Sequence, residues 1–234
     1  MVTRGASIEK RGRAEGLARG AAAAHGVRKV PVFRYAEAMP RSTRAGHSSE
    51  EVDALCDGLA SPQPRTRYGS AKTLLLVSEQ EPALLYPRFD FFARLREGES
   101  RVLSWNAMRI LGNLARADGE GRIEKLLDRY LAPITGHELI AAANTMQGAA
   151  EIARAKPHLA ERIAKEILKV RRAQYATPEC RNVAAGHAIQ SLDRFFEHVP
   201  KKRPVVAFVE SELANARPAT RKKAEKFLKK WGGV

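Results

Sequence analysis

The sequence predicts an all-α protein: an αα-superhelix of about five helical hairpins over residues 48–231, preceded by a basic segment of different character at residues 1–47. Three observations predict it. From Ser48 onward, amphipathic segments of helical period follow one another, each broken at Pro or Gly. Every second segment repeats one pattern of small and large apolar residues. The chain is 44% hydrophobic but only 6% aromatic, so its core is built mostly from Ala, Leu, Ile and Val.

The first helix starts at Ser48 or Ser49 as cap, carries Glu50 and Glu51 in its first turn, and shows an apolar stripe at Val52, Leu55, Cys56 and Leu59. Ser61-Pro-Gln-Pro-Arg-Thr-Arg67 then stops one helix and starts the next. Further helical segments are predicted at about 65–79, 82–96, 99–116, 121–132, 137–155, 158–175, 178–198, 203–214 and 218–231, which makes ten helices in five pairs.

The second helix of each pair places a small residue at position 0 and core residues at +3, +4 and +7. It reads Ala71, Leu74, Leu75, Ser78; Ala107, Ile110, Leu111, Leu114; Ala143, Met146, Gln147, Ala150; Ala185, Ala188, Ile189, Leu192; and Ala224, Phe227, Leu228, Trp231. These offsets fall on one helical face, and Ala at the apex permits close helix approach. A single pair cannot cover such a stripe, whereas a stack can. The third copy fits least well, because Gln147 is polar.

Ser61-Pro-Gln-Pro-x-x-Arg67-x-x-x-Ala71-x-x-Leu74 resembles the start of the inner helix in bacterial HEAT repeats, and Ile110-Leu-Gly-Asn-Leu-Ala115 resembles its characteristic end. The likeness spans about residues 48–231 and is strongest in the first, second and fifth pairs. HEAT repeats often carry Asp in the turn, where this chain has Ser61, and Arg early in the second helix, which only Arg67 and, with a one-residue slip, Arg221 match. The resemblance implies an armadillo-type superhelix whose second helices line a concave surface where partners are held.

The formal net charge is +15, distributed as +7 over residues 1–47, +1 over 48–199 and +7 over 200–234. Charge concentrated at the two ends attracts polyanions without naming one. Residues 1–47 are rich in Arg, Gly and Ala and lack an apolar stripe, so little packed structure is expected. A basic disordered arm, an Arg-rich targeting peptide, and sequence upstream of a start at Met39 all fit that composition. No window approaches eighteen apolar residues, so no transmembrane segment is predicted. Cys56 and Cys180 lack metal-ligand spacing and read as separate reduced thiols of a cytoplasmic protein.

Two enzyme families with HEAT-like folds offer direct tests. Deoxyhypusine hydroxylase needs several His-Glu dipeptides for its two irons, and this chain has one, His137-Glu138, with six histidines in all. DNA alkylation-repair glycosylases of this type use a basic groove, aromatic side chains and a catalytic Asp. Trp105 and Arg109, four apart, share a face and present an aromatic platform beside a guanidinium, but that helix has no carboxylate between Arg101 and Arg116. Packing of Trp105 between pairs explains the same residues. Neither GxSxG nor a Walker lysine loop occurs, and Gly119-Glu-Gly121 reads as a turn between helices.

The C-terminal segment sets Ala224, Phe227, Leu228 and Trp231 on one face and spreads Arg221, Lys222, Lys223, Lys226, Lys229 and Lys230 over the rest. Phosphate binding and a plain solubilising cap both fit that arrangement. The sequence therefore points to a non-enzymatic scaffold without cofactor, metal or catalytic residues, binding a protein partner on its inner helices. Its candidate contacts are Trp105, Arg109, His187, Arg221, Lys222, Lys226 and Lys230. The alternative is a nucleic-acid-binding protein that uses the C-terminal helix and N-terminal tail, a divergent relative of the alkylation-repair glycosylases being one form of it.

Overall fold

Local sequence signals start most of the helices, and the apolar stripes then decide which helices touch. The computed structural model describes residues 46–232, so the expectations for the basic N-terminal segment lie almost wholly outside the described residues. Helix α1, Ser49–Gly58, opens on a reciprocal capping box: Ser48 Oγ accepts from the Glu51 N–H at 3.2 Å, and the Glu51 carboxylate accepts from the Ser48 N–H at 2.9 Å. Pro64 starts α2, Pro64–Gln80, at a position that needs no N–H partner.

Residues 82–95 form one interrupted segment. Helix α3, Pro82–Leu85, and helix α4, Phe89–Leu95, are joined by a single 3₁₀ turn at Tyr86–Arg88, where Pro87 lacks the N–H that a continuous helix would use. The remaining helices are α5 Arg101–Leu114, α6 Arg122–Leu131, α7 Leu139–Ala155, α8 Ala160–Leu168, α9 Pro178–Asp193, α10 Arg203–Ser211 and α11 Pro218–Trp231. With α3 and α4 taken together, the described residues contain ten helical segments and no strand, as the periodicity predicts. None of these helices is long and apolar enough to cross a membrane.

Helices α2, α5, α7, α9 and α11 form a row, each packed on the next. Helices α1, α4, α6, α8 and α10 lie against α2, α5, α7, α9 and α11 respectively. One apolar core runs from Val52 to Phe227. The repeated frame is buried at Ala71, Ala107 and Ala185 together with their +3, +4 and +7 partners, and at Ala224 and Phe227 in the last copy.

The third copy is shifted by one residue. Ala142, Thr145, Met146 and Ala149 are buried, while Ala143 is half-buried and Gln147 is exposed. The run Ala141–Ala143 offers no contrast in size by which to fix the register. Packing fixes it instead. A Cβ on Gly112 would stand 2.5 Å from the Gly148 Cα, and one on Gly148 would collide with the Tyr130 hydroxyl. Helices α5 and α7 therefore meet backbone to backbone, and the glycine pair sets the rotation of α7.

The turn before α6 is organised by a fully buried carboxylate. Asp118 accepts from the N–H groups of Arg122 at 2.8 Å and Ile123 at 3.1 Å and from the Tyr86 hydroxyl at 2.7 Å, and it pairs with Lys156 at 3.2 Å. Gly121 follows in the left-handed region at φ 67°, as expected for a turn glycine. Burial alone raises the Asp118 carboxyl, but the Tyr86, backbone and Lys156 donors outweigh it and hold the group below its ordinary value of 3.8. Burial first, and then the same contact, push the Tyr86 phenol up to about 12.

Candidate interaction surface

The row of helices assembles a cleft that no single segment of sequence contains. Glu79 at the end of α2, Arg109 and Asn113 on α5, Arg116 just beyond α5, Gln147, Gly148 and Glu151 on α7, and Arg194 after α9 line a space of about 160 Å³. Arg109 donates to Glu79 at 3.1 Å. Arg116 donates to the main-chain carbonyls of Ser78 and Glu79, and Arg194 pairs with Glu151, which also accepts from Arg154 at 3.2 Å. Beneath them Asn113 donates to the buried Ser78 hydroxyl at 2.8 Å.

The chemistry of this lining is mixed. Three guanidiniums face two carboxylates and two amides, and every guanidinium already holds a carboxylate or carbonyl. Each arginine nevertheless uses only one terminal nitrogen with the described residues. Nε and the second terminal nitrogen remain as donors in a planar fork suited to carboxylate and amide oxygens. Exposed apolar side chains lie at the other ends of α2 and α5: Tyr68 is 40% and Val102 39% exposed. Trp105 is half-buried, and its indole N–H meets no acceptor among the described residues.

The candidate contacts selected from sequence are thus placed differently from one another. Arg109 lines the cleft; Trp105, one turn away, is not part of its lining. Arg221 is folded back onto the carbonyls of Asn215 at 2.7 Å and Ala216 at 3.1 Å, where it closes the turn that precedes its own helix. Lys230 donates to Asp193 at 2.9 Å, and the same oxygen accepts from the Trp231 indole at 2.7 Å, so this lysine ties α11 to α9. Lys222 and Lys226 are exposed, with no carboxylate within 4 Å among the described residues.

His187, on α9, is lowered to about 4, first by burial and then by the Lys223 and Arg217 cations beside it. Lys223 is itself lowered, by burial and by Arg217, and donates to the Gly186 carbonyl at 3.1 Å. His137 lies against the Gln174 carbonyl at 3.1 Å, and Glu138 makes no side-chain cap although it occupies the N-cap position of α7. Cys56 and Cys180 are separate half-buried thiols; burial pushes Cys56 up to about 11. Among the described residues no three His, Cys, Asp or Glu side chains come together in a metal-binding group.

Glu79, Arg116, Gln147, Glu151 and Arg194 are cleft residues that sequence reasoning missed. No motif marks them, because the cleft forms only once α2, α5, α7 and α9 stand side by side. The one available signal was the conflict at Gln147, a polar residue in an apolar frame. No family model, curated protein or solved structure matches this chain.

Proposed function

We propose that the described residues are an αα-superhelix of HEAT-like hairpins, and that the chain is a non-enzymatic scaffold holding a protein partner on its α2, α5, α7 and α9 face. The observation that carries this reading is the mixed lining of the cleft. A surface for nucleic acid presents cations free to meet phosphates, whereas here Arg109, Arg116 and Arg194 are each committed to a carboxylate or carbonyl. Alternating charges and amides suit a polypeptide, which offers both hydrogen-bonding signs, and exposed Tyr68 and Val102 at the far ends of α2 and α5 suit its apolar side chains. The row of helices packed in order, each flanked by the helix before it in sequence, supports the superhelix.

The test is affinity purification from the native host with the full chain and with an Arg109→Gln/Arg194→Gln variant, each eluate divided between nuclease and mock treatment. The reading expects a defined protein that survives nuclease and falls at least tenfold with the variant. Material that disappears on nuclease treatment, or that the variant retains in full, counts against it.

A further inference from the structure

We propose that the lysine stripe of α11, Lys222, Lys226 and Lys229, is a second binding surface, which contacts the phosphate backbone of duplex nucleic acid without reading its sequence. The stripe is independent of the α2–α9 cleft. Helix α11 carries six cations, Arg221, Lys222, Lys223, Lys226, Lys229 and Lys230, against one carboxylate, Glu225. Arg221, Lys223 and Lys230 are engaged with the fold through the Asn215 and Ala216 carbonyls, the Gly186 carbonyl and Asp193. Lys222, Lys226 and Lys229 are exposed, and no carboxylate of the described residues, Glu225 included, comes within 4 Å of them.

Their spacing of four and three residues places them on one face of the helix over about 10 Å. Like charges at that spacing destabilise a helix, and a solubilising cap needs polarity without needing one sign of charge. The cost is met by the opposite face, where Ala224 and Phe227 are buried and Phe196 packs against Phe227 at 4.9 Å and Trp231 at 5.2 Å between ring centres. That packing also selects the ligand. Phe227 is buried, and half-buried Trp231 packs on Phe196, donates to Asp193 and has Lys230 over its ring, all on the face away from the stripe, so the stripe has no platform on which unpaired bases stack, as single-strand binders require. What remains is a straight line of cations on a rigid support, complementary to a duplex that carries one charge per about 1.7 Å of axis.

The experiment uses the full chain and a fluorescent 20-base-pair DNA duplex of mixed sequence, titrated by anisotropy across a salt series starting near 50 mM. A Lys222→Gln/Lys226→Gln/Lys229→Gln variant is compared with the wild type and with Arg109→Gln/Arg194→Gln, and unfolding midpoints confirm that all three are folded. The expected result is a slope of log affinity against log salt that is shallower by up to about 2.7 in the lysine variant, at about 0.9 per phosphate contact, and unchanged in the arginine variant. A second duplex of different sequence is expected to bind with the same affinity and slope. No wild-type binding near 50 mM salt, an unchanged slope in the lysine variant, or tighter binding of the corresponding single strand overturns the proposal. Displacement of the duplex by polyglutamate at equal charge concentration also overturns it, in favour of an acidic protein. None of these outcomes depends on the fate of the inner-face reading, which the arginine variant tests separately.

Discussion

Where α5 meets α7 the helices touch backbone to backbone through Gly112 and Gly148, whereas α11 meets Gly186 of α9 through the Thr220 and Lys223 side chains and packs the rings of Phe227 and Trp231 on Phe196, just beyond α9. The surface charges of the two regions differ as well. Around the backbone-to-backbone contact the polar groups have protein partners: Tyr130 donates to the Met108 carbonyl at 2.6 Å, Asn113 to Ser78, and Arg194 pairs with Glu151. At the end of the row α11 packs by Ala224 and Phe227, and its opposite face stands in solvent, where Lys222, Lys226 and Lys229 are hydrated and need no partner. The middle of the row carries a neutralised surface, and the outer face of its last helix an unneutralised one.

The largest effect is expected at the most deeply buried ring of the last helix. Phe227→Ala removes the buried one of the two α11 rings that pack on Phe196 and is expected to cost about 3–5 kcal/mol. Urea unfolding measures it, and a loss near 1 kcal/mol would show that α11 is held by its polar ties instead.

The burial of His187 beside cations at the same junction has a pH signature. His187 titrates near 4 in the fold against an ordinary 6.5, so between those values the unfolded chain binds a proton that the folded one does not. Stability from this group is complete above pH 6.5 and is lost as pH falls towards 4, by about 3 kcal/mol at most. His187→Gln is expected to flatten the stability curve in that window, and an unchanged curve would place the histidine in contact with solvent.

In the middle of the row, Gly148→Ala is expected to cost about 1–3 kcal/mol, because the new methyl group meets the Tyr130 hydroxyl and the Met108 carbonyl. Gly69→Ala, on α2, meets nothing within 4 Å and is expected to stabilise by about 0.5–1 kcal/mol through helix propensity. Opposite signs in thermal melts of these two helix glycines distinguish close approach from a general effect of glycine.

The helical character and four of the five frame positions were legible because Leu, Ile and Phe at +3, +4 and +7 contrast with their polar neighbours. The frame around Ala143 was not, because in Ala141-Ala142-Ala143 the face is chosen by the Gly112–Gly148 contact with another helix. The same limit applies to the binding residues. Arg109 was visible as a cation on a helix face, but its partner Glu79 lies thirty residues away on α2. Arg221 and Lys230 looked equivalent to Lys222 and Lys226 in sequence. Turn carbonyls and Asp193 make them structural, and neither feature is encoded within α11.

The comparison rests on paired charges in the cleft and unpaired charges on α11, and unfolding free energies of two triple variants test it most directly. Arg109→Gln/Arg116→Gln/Arg194→Gln is expected to lose about 2–4 kcal/mol, since it removes charge-assisted bonds and leaves Glu151, at 15% exposure, without its Arg194 partner. Lys222→Gln/Lys226→Gln/Lys229→Gln is expected to stay within about 0.5 kcal/mol of wild type or to gain slightly as like-charge repulsion is relieved. Equal losses in the two variants, or a larger loss in the lysine variant, would contradict the division of the molecule into a neutralised middle and an unneutralised end.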